Sequence, residues 1–297
     1  MAPIDVSVVI AVKNEQAYIQ SALESVINQE GVEHEVIVVD DGSTDKTFSI
    51  ISSLSCRDLR LQVLRNPRSG KCSAFNFGVS LAKGRFVCIF AGDDIMPAKT
   101  LYERWSAVND MPDDVPCVGL CKILTLSEFK RFDGHLIPRA KGRGAISGVS
   151  PMMNQMAVKK IFPVPETLPN EDTWMEIAIL HLPGFKIVHS DIIGCLWRVH
   201  AGNSINMRVG FADYNKRITP RMRAFKLFFE KFSRELDKEN KRQLQNKINL
   251  ENWRLSGNMT RVILSPVGLV EKLRALSITN RFMYEIRRRL YGIFSGW

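Results

Sequence analysis

Apolar and polar positions along the N-terminal two-thirds of the chain follow two alternating rhythms. Val6-Ser7-Val8-Val9-Ile10-Ala11-Val12 is β-branched and almost wholly apolar, as in a strand buried on both faces. Ile19, Ala22, Leu23, Val26 and Ile27 then recur at helical spacing, behind Asn14, which can cap a helix. Val36-Ile37-Val38-Val39 reads as a second buried strand, and Phe48, Ile51 and Leu54 as the helix after it, capped by Asp45. A short strand over residues 61–64, a helix opened by Ser73 and running to Leu81, and a strand over residues 86–90 complete the pattern. Strands alternating with helices predict an α/β fold with a parallel sheet and right-handed crossovers.

Past Pro97 the spacing predicts a helix over residues 99–109 and a strand over 118–126, then a turn at Asp133-Gly134 and a basic loop over 141–144. Residues 152–158 read as extended, passing into a short helix over 159–162. A rigid loop carries Pro163, Pro165 and Pro169, a helix covers 171–182, and two extended stretches cover 185–188 and 192–200. From Arg221 the pattern turns helical, with Met222, Phe225, Phe228, Phe229 and Phe232 among basic residues. Leu269, Leu273 and Leu276 follow, then Phe282, Ile286, Leu290 and Ile293 beside Arg281 and Arg287-Arg288-Arg289.

Charge marks a boundary inside the 297 residues. Residues 211–297 hold 19 of the 41 Lys and Arg but 8 of the 31 Asp and Glu, a net of +11, which leaves −1 for residues 1–210. The division is therefore 1–210 as an α/β domain and 211–297 as a basic, mostly helical extension. No apolar run is long enough for a transmembrane helix, and no leader pattern opens the chain, which points to a cytoplasmic protein. Six scattered cysteines fit buried thiols in a reducing compartment better than a metal site. The basic helix near residues 281–294 suits an anionic membrane surface, which would place the chain peripherally on the inner face of the cell membrane; the alternative is a subdomain packed on the enzyme. Nucleic acid is not an expected partner, because no groove-reading motif or aromatic ladder accompanies the charge.

The chemistry sits at strand ends. Phe86 to Phe90 runs into Ala91-Gly92-Asp93-Asp94 before Pro97, and Val38-Val39 runs into Asp40-Asp41-Gly42-Ser43. Strand ends at the edge of an open α/β sheet are where ligands bind. Two acids there suit a divalent cation held partly by a substrate's phosphates. Alternatively, Asp40 and Asp41 serve turn and capping chemistry. A G-x-G-x-x-G turn after the first strand is absent, which argues against a nicotinamide dehydrogenase.

Four blocks together carry a family resemblance: Val9-Ile10-Ala11-Val12-Lys13-Asn14-Glu15; Val38-Val39-Asp40-Asp41-Gly42-Ser43-Thr44-Asp45; Asn66-Pro67-Arg68-Ser69-Gly70-Lys71 with Ala74, Asn76 and Gly78; and Gly92-Asp93-Asp94. In order and spacing they resemble glycosyltransferase family 2, over about residues 5–205. The resemblance implies a GT-A fold with a mostly parallel, Rossmann-like central sheet. It also implies a nucleotide-sugar donor, UDP-sugar favoured, Mn2+ or Mg2+, and inverting transfer of a hexosyl or N-acetylhexosaminyl group. The acceptor would be a glycan or lipid-linked glycan in surface polysaccharide biosynthesis. A nucleotidyltransferase that forms sugar nucleotides, or a non-catalytic nucleotide- or membrane-binding scaffold, is the alternative.

By the same resemblance, Asp94 is the direct metal ligand and Asp93 the ribose or outer contact, although Ala91 replaces the first acid of the Asp-x-Asp element. Asp41 reads the base, while the backbone of Ala11 and the side chain of Glu15 border base and ribose. Lys71, at a helix N-terminus, touches the donor's phosphates or sugar; otherwise it is a solvated lysine. Asp172 is the base that deprotonates the acceptor and Glu171 supports it, or both serve the helix dipole. Trp197-Arg198-Val199-His200, with Asn203 and Ser204, is similar to a late aromatic-Arg-x-His segment. There Arg198 contacts phosphate and His200 ligates the metal or, charged, contacts diphosphate.

Overall fold

The computed structural model describes residues 3–146, 148–200 and 209–294. The chain divides into two compact units, one of residues 1–180 and 184–199, the other of residues 181–183 and 200–297.

The first unit alternates strand and helix: β1 (Val6–Val12), α1 (Ile19–Ile27), β2 (His34–Asp40), α2 (Thr47–Ser55), β3 (Leu61–Arg65), α3 (Lys71–Leu81) and β4 (Phe86–Ala91). It continues through α4 (Thr100–Ser106), β5 (Cys117–Leu126), β6 (Leu136–Ile137), β7 (Met152–Asn154), α5 (Gln155–Ile161), α6 (Asp172–His181) and β8 (Lys186–Arg198). These strands form one sheet in the order β3-β2-β1-β4-β7-β5-β6, with β8 also paired to β5. β3, β2, β1 and β4 are mutually parallel. The antiparallel β7 joins β4 to β5, and β8 runs parallel to β5.

The apolar runs explain the core. Val8, Ile10, Val36, Val38 and Phe90 are fully buried and pack with Ile19 and Leu23 of α1. Each such side chain contributes about 1.5–3 kcal/mol relative to exposure. α3 closes on β1 and β2 through Gly78, where a Cβ would collide with Val9 and lie 3.1 Å from Val39.

Three local features differ from the sequence-based expectation. Asn14 does not cap α1: it adopts a positive φ of 58°, and its side-chain oxygen accepts the Thr44 N–H at 2.8 Å, tying the loop after β1 to the loop after β2. The extended stretch at 152–158 stops at Asn154, whose side chain accepts the Ala157 N–H at 2.9 Å and starts α5 there. The two stretches expected at 185–188 and 192–200 are one strand, β8, whose register against β5 shifts between Leu120 and Ile123.

The second unit is helical: α7 (Phe211–Phe232), α8 (Lys238–Leu255), α9 (Met259–Leu264), α10 (Leu269–Leu276) and α11 (Arg281–Phe294). Asp237 and Asn258 cap α8 and α9 by accepting the N–H groups of Asn240 and Arg261. Leu250, Val262 and Ala275 form one small core; Tyr214, Ile278 and Tyr284 form another. Arg254 is buried, pairs with Glu251 and donates to Asn215 and Thr219.

Candidate active site

The C-terminal ends of β1, β2 and β4 meet at one edge of the sheet. Ala11 lies in register between Val39 and Ala91, so the loops that follow these strands rise side by side. The Asp41 N–H donates to the Val12 carbonyl at 2.8 Å, which locks the β1 and β2 ends together. Asp40 is fully buried and accepts the Ser43 N–H, the turn role. The Asp41 carboxylate is held from three sides: Oδ1 accepts from Asn66 Nδ2 at 2.7 Å and from the Gly70 N–H at 2.8 Å, and Lys13 Nζ lies 3.4 Å from Oδ2. Gly70 reaches it with φ of 117°, a conformation that favours glycine. Asn66 is a residue that sequence reasoning quoted for its motif without assigning it this contact.

Glu15 and the β4 acids gather negative charge. Burial, then Asp93, Asp45 and Asp94, push the Glu15 carboxyl up to about 7, against the opposing pull of Lys71. Gly92 allows this approach, since its Cβ would lie 2.7 Å from Val12 Cγ1 and 3.5 Å from Glu15 Cγ. Asp94 is 2% exposed, and burial together with Asp93 raises it to about 7. Its Oδ1 accepts the Arg198 backbone N–H at 2.8 Å, and its Oδ2 lies 3.5 Å from the Cys195 thiol. Its oxygens face β8 from a buried position, whereas Asp93 is half-buried.

Arg198, at the end of β8, organises this corner. Its Nε donates to the Asp93 carbonyl at 2.8 Å, and its guanidinium lies 4.8 Å from the centre of the Tyr18 ring. Tyr18 is a second residue that sequence reading passed over, because an aromatic at the start of a helix carries no distinctive pattern. His200 follows two residues later and opens the second unit. Asn203 and Ser204 lie outside the described residues.

Lys71 Nζ sits 3.1 Å from Glu171 Oε1, so the first turn of α3 is joined to the start of α6. Glu171 is buried, and its Oε2 has no hydrogen-bond partner among the described residues. The same holds for both amide atoms of the buried Asn170. Asp172, next in sequence, is half-buried, and one of its oxygens accepts the Thr173 N–H at 3.0 Å. Asn76 fixes the proline-rich loop leading here through two 2.8 Å bonds with the Val164 backbone. Arg68 reaches Glu166 of the same loop at 2.7 Å.

The acids at the β1 and β4 ends fit a hard divalent cation such as Mg2+ or Mn2+. All are oxygen donors, and the raised Glu15 and Asp94 carboxyls mark negative charge gathered at one point. Among the described residues no three acidic, His or Cys side chains close into a metal cage, so such an ion would take its remaining ligands from phosphate oxygens or water.

A parallel sheet with acids at its switch edge, extended by an antiparallel strand and a second acidic helix start, is the GT-A arrangement. Residues 7–146, a little under half of the chain, match the family model described as glycosyl transferase family 2. Among curated relatives, glycosyltransferase GlyG of Streptococcus pneumoniae is 32% identical over 111 residues, 37% of each chain. Chondroitin synthase of Pasteurella multocida is 37% identical over 91 residues, 31% of this chain and 9% of that protein. The matches thus span well under two-thirds of these relatives' own lengths. Among solved structures, S. aureus TarS 1–349 in complex with UDP-GlcNAc superposes with a TM-score of 0.60 at 19% identity, over 97% of this chain and 87% of that one. Mannosyltransferase PcManGT from Pyrobaculum calidifontis, in complex with GDP-Man and Mn2+, gives 0.58 at 17%, over 99% and 90%.

Proposed function

We propose that this chain is an inverting glycosyltransferase. It moves a hexosyl or N-acetylhexosaminyl group from a nucleotide-diphosphate sugar, UDP-sugar favoured, to a hydroxyl of a lipid-linked glycan in surface polysaccharide synthesis. The observation that carries this reading is the pairing of two acidic centres. Glu15, Asp93 and Asp94 gather at the sheet edge, and Lys71, which acts on Glu15, also pairs with Glu171 beside Asp172. Its support from relatives is the match of residues 7–146 to the glycosyl transferase family 2 model, a relative named chondroitin synthase and a structural neighbour in complex with UDP-GlcNAc.

In this proposal Asp41, with Asn66 behind it, faces the base, and the Ala11 backbone and Glu15 border base and ribose. Asp93 would hold a divalent ion together with oxygens of the diphosphate, and Asp94 holds the β4 end against Arg198. A bound divalent ion would neutralise the diphosphate and make it a better leaving group. Lys71 and Arg198 add positive charge beside the phosphates. Asp172 takes the proton from the acceptor hydroxyl. The acceptor oxygen then bonds to the anomeric carbon from the face opposite the nucleotide. The bond between that carbon and the phosphate oxygen breaks, and its electron pair leaves with the nucleoside diphosphate. Buried Glu171 fixes Asp172 and Lys71 relative to each other.

The test is a panel of uridine and guanosine sugar nucleotides with Mn2+, reading both donor hydrolysis and transfer. The expected result is UDP-sugar turnover by the wild type and a loss of about 10²–10⁴-fold in Asp172→Asn, with UDP affinity retained. Near-normal transfer by folded Asp172→Asn would remove the base assignment. No turnover of any sugar nucleotide, with no nucleoside diphosphate bound, would remove the enzyme reading.

A further inference from the structure

We infer that the second unit carries a docking surface for an anionic lipid bilayer, centred on the α9–α10 hairpin. α10 buries Ala275 against Val262 of α9 and Leu250 of α8. Its other side presents Leu269, Val270 and Leu273, which are 70%, 60% and 56% exposed. A surface helix ordinarily turns its polar residues outward, whereas α10 turns Leu269, Val270 and Leu273 outward along with Arg274. α9 ends in Ile263 and Leu264, 52% and 75% exposed, just before the short connection to α10. Single exposed apolar residues need no explanation, but five large aliphatic side chains in one hairpin do.

Charge identifies the occupant. Arg261 and Arg274 are exposed on the two helices, and residues 259–289 hold seven Lys or Arg against two acids. Both acids are already paired, Glu271 with Lys247 at 3.0 Å and Glu285 with Arg288 at 3.2 Å. An apolar centre with a basic rim fits acyl chains below and anionic headgroups around them. A second copy of the chain would bring the same positive rim and be repelled. Among the described residues no helix is long and apolar enough to cross a membrane, so this surface would lie on the bilayer. The sequence points instead to residues 281–294. There α11 turns Tyr284 fully inward and leaves Phe282 73% exposed, as a second contact beside the hairpin. That docking serves a lipid-linked acceptor rests on the function proposed above; the docking itself does not.

Flotation of the full chain with vesicles of phosphatidylglycerol and phosphatidylcholine in equal parts, and with pure phosphatidylcholine, provides the test. The wild type is expected to float with the anionic vesicles at low salt and to stay at the bottom with the neutral ones. The double variant Leu269→Asp, Leu273→Asp should lose flotation. Arg261→Gln with Arg274→Gln, which leaves the apolar face intact, should bind about thirtyfold more weakly, the effect of two charges near such a surface. Both variants should bind UDP as the wild type does, so failure here leaves the donor-binding reading untouched, and the reverse. A wild type that does not float, variants that float normally, or a solution dimer that Leu269→Asp, Leu273→Asp dissolves would each overturn the proposal.

Discussion

Two adjacent aspartates receive opposite surroundings from one strand end. Asp94 is buried against the Arg198 N–H and the Cys195 thiol, while Asp93 is half-buried beside Glu15. Asp94→Ala is expected to lower stability by about 1–3 kcal/mol, because it strips the Arg198 N–H of its acceptor. Asp93→Ala should leave the melting temperature almost unchanged and abolish Mn2+-dependent UDP binding. Calorimetry and thermal melts on both variants check this. A stable Asp94→Ala protein that has lost UDP, beside an Asp93→Ala protein that binds it normally, would return the direct contact to Asp94. Asp172 and Glu171 differ in the same way: Glu171 is buried and tied to Lys71, and Asp172 is half-buried.

At the scale of elements, the candidate site depends on close packing of α3 against β1 and β2. Gly78 is the contact point, where any Cβ meets Val9. Gly78→Ala should therefore destabilise the first unit by about 1–3 kcal/mol through overpacking, even though alanine favours helices. Urea unfolding followed by circular dichroism measures it, and an unchanged midpoint would show that β1 can yield. α3 also carries Lys71 at its first turn and Asn76 one face further on, so the same helix holds both the Glu171 carboxylate and the loop before α6. β8 contributes from the other side, since its last residues supply the Arg198 N–H to Asp94.

Over the whole molecule the thiols report how well the chain is packed. Burial and the nearby Glu171 carboxylate push Cys72 up to about 12, and burial likewise raises Cys88, Cys117 and Cys195. Cys56 is exposed, against the sequence-based expectation that the cysteines are buried. Native protein at neutral pH is expected to react at Cys56 alone with a thiol reagent, and at all six cysteines once unfolded; mass spectrometry of the labelled chain reads the sites. Rapid labelling of Cys195 would mean that the support beneath Asp94 opens readily. The basic excess, by contrast, belongs to residues 211–297, which expose Leu264, Leu269 and Leu273 beside their two small cores.

The sequence by itself determined the strand–helix alternation, the acids at the ends of β2 and β4, and the motif blocks that resemble glycosyltransferase family 2. Buried parallel strands must be continuous apolar runs, and acids that end them stand out. Composition alone separated the basic C-terminal part. Only the tertiary structure decided which acid of each pair faces inward, because Asp93 and Asp94 differ through Arg198 and Cys195, about a hundred positions away in sequence. It alone placed Asn66 on Asp41, set Asn14 to bridging two loops, and joined two expected segments into β8. In the tail, helical periodicity is the same whether an apolar face is buried or left outward. Packing decided it: α10 buries Ala275 and leaves Leu269 and Leu273 to the surface, because only one side of that helix meets α8 and α9.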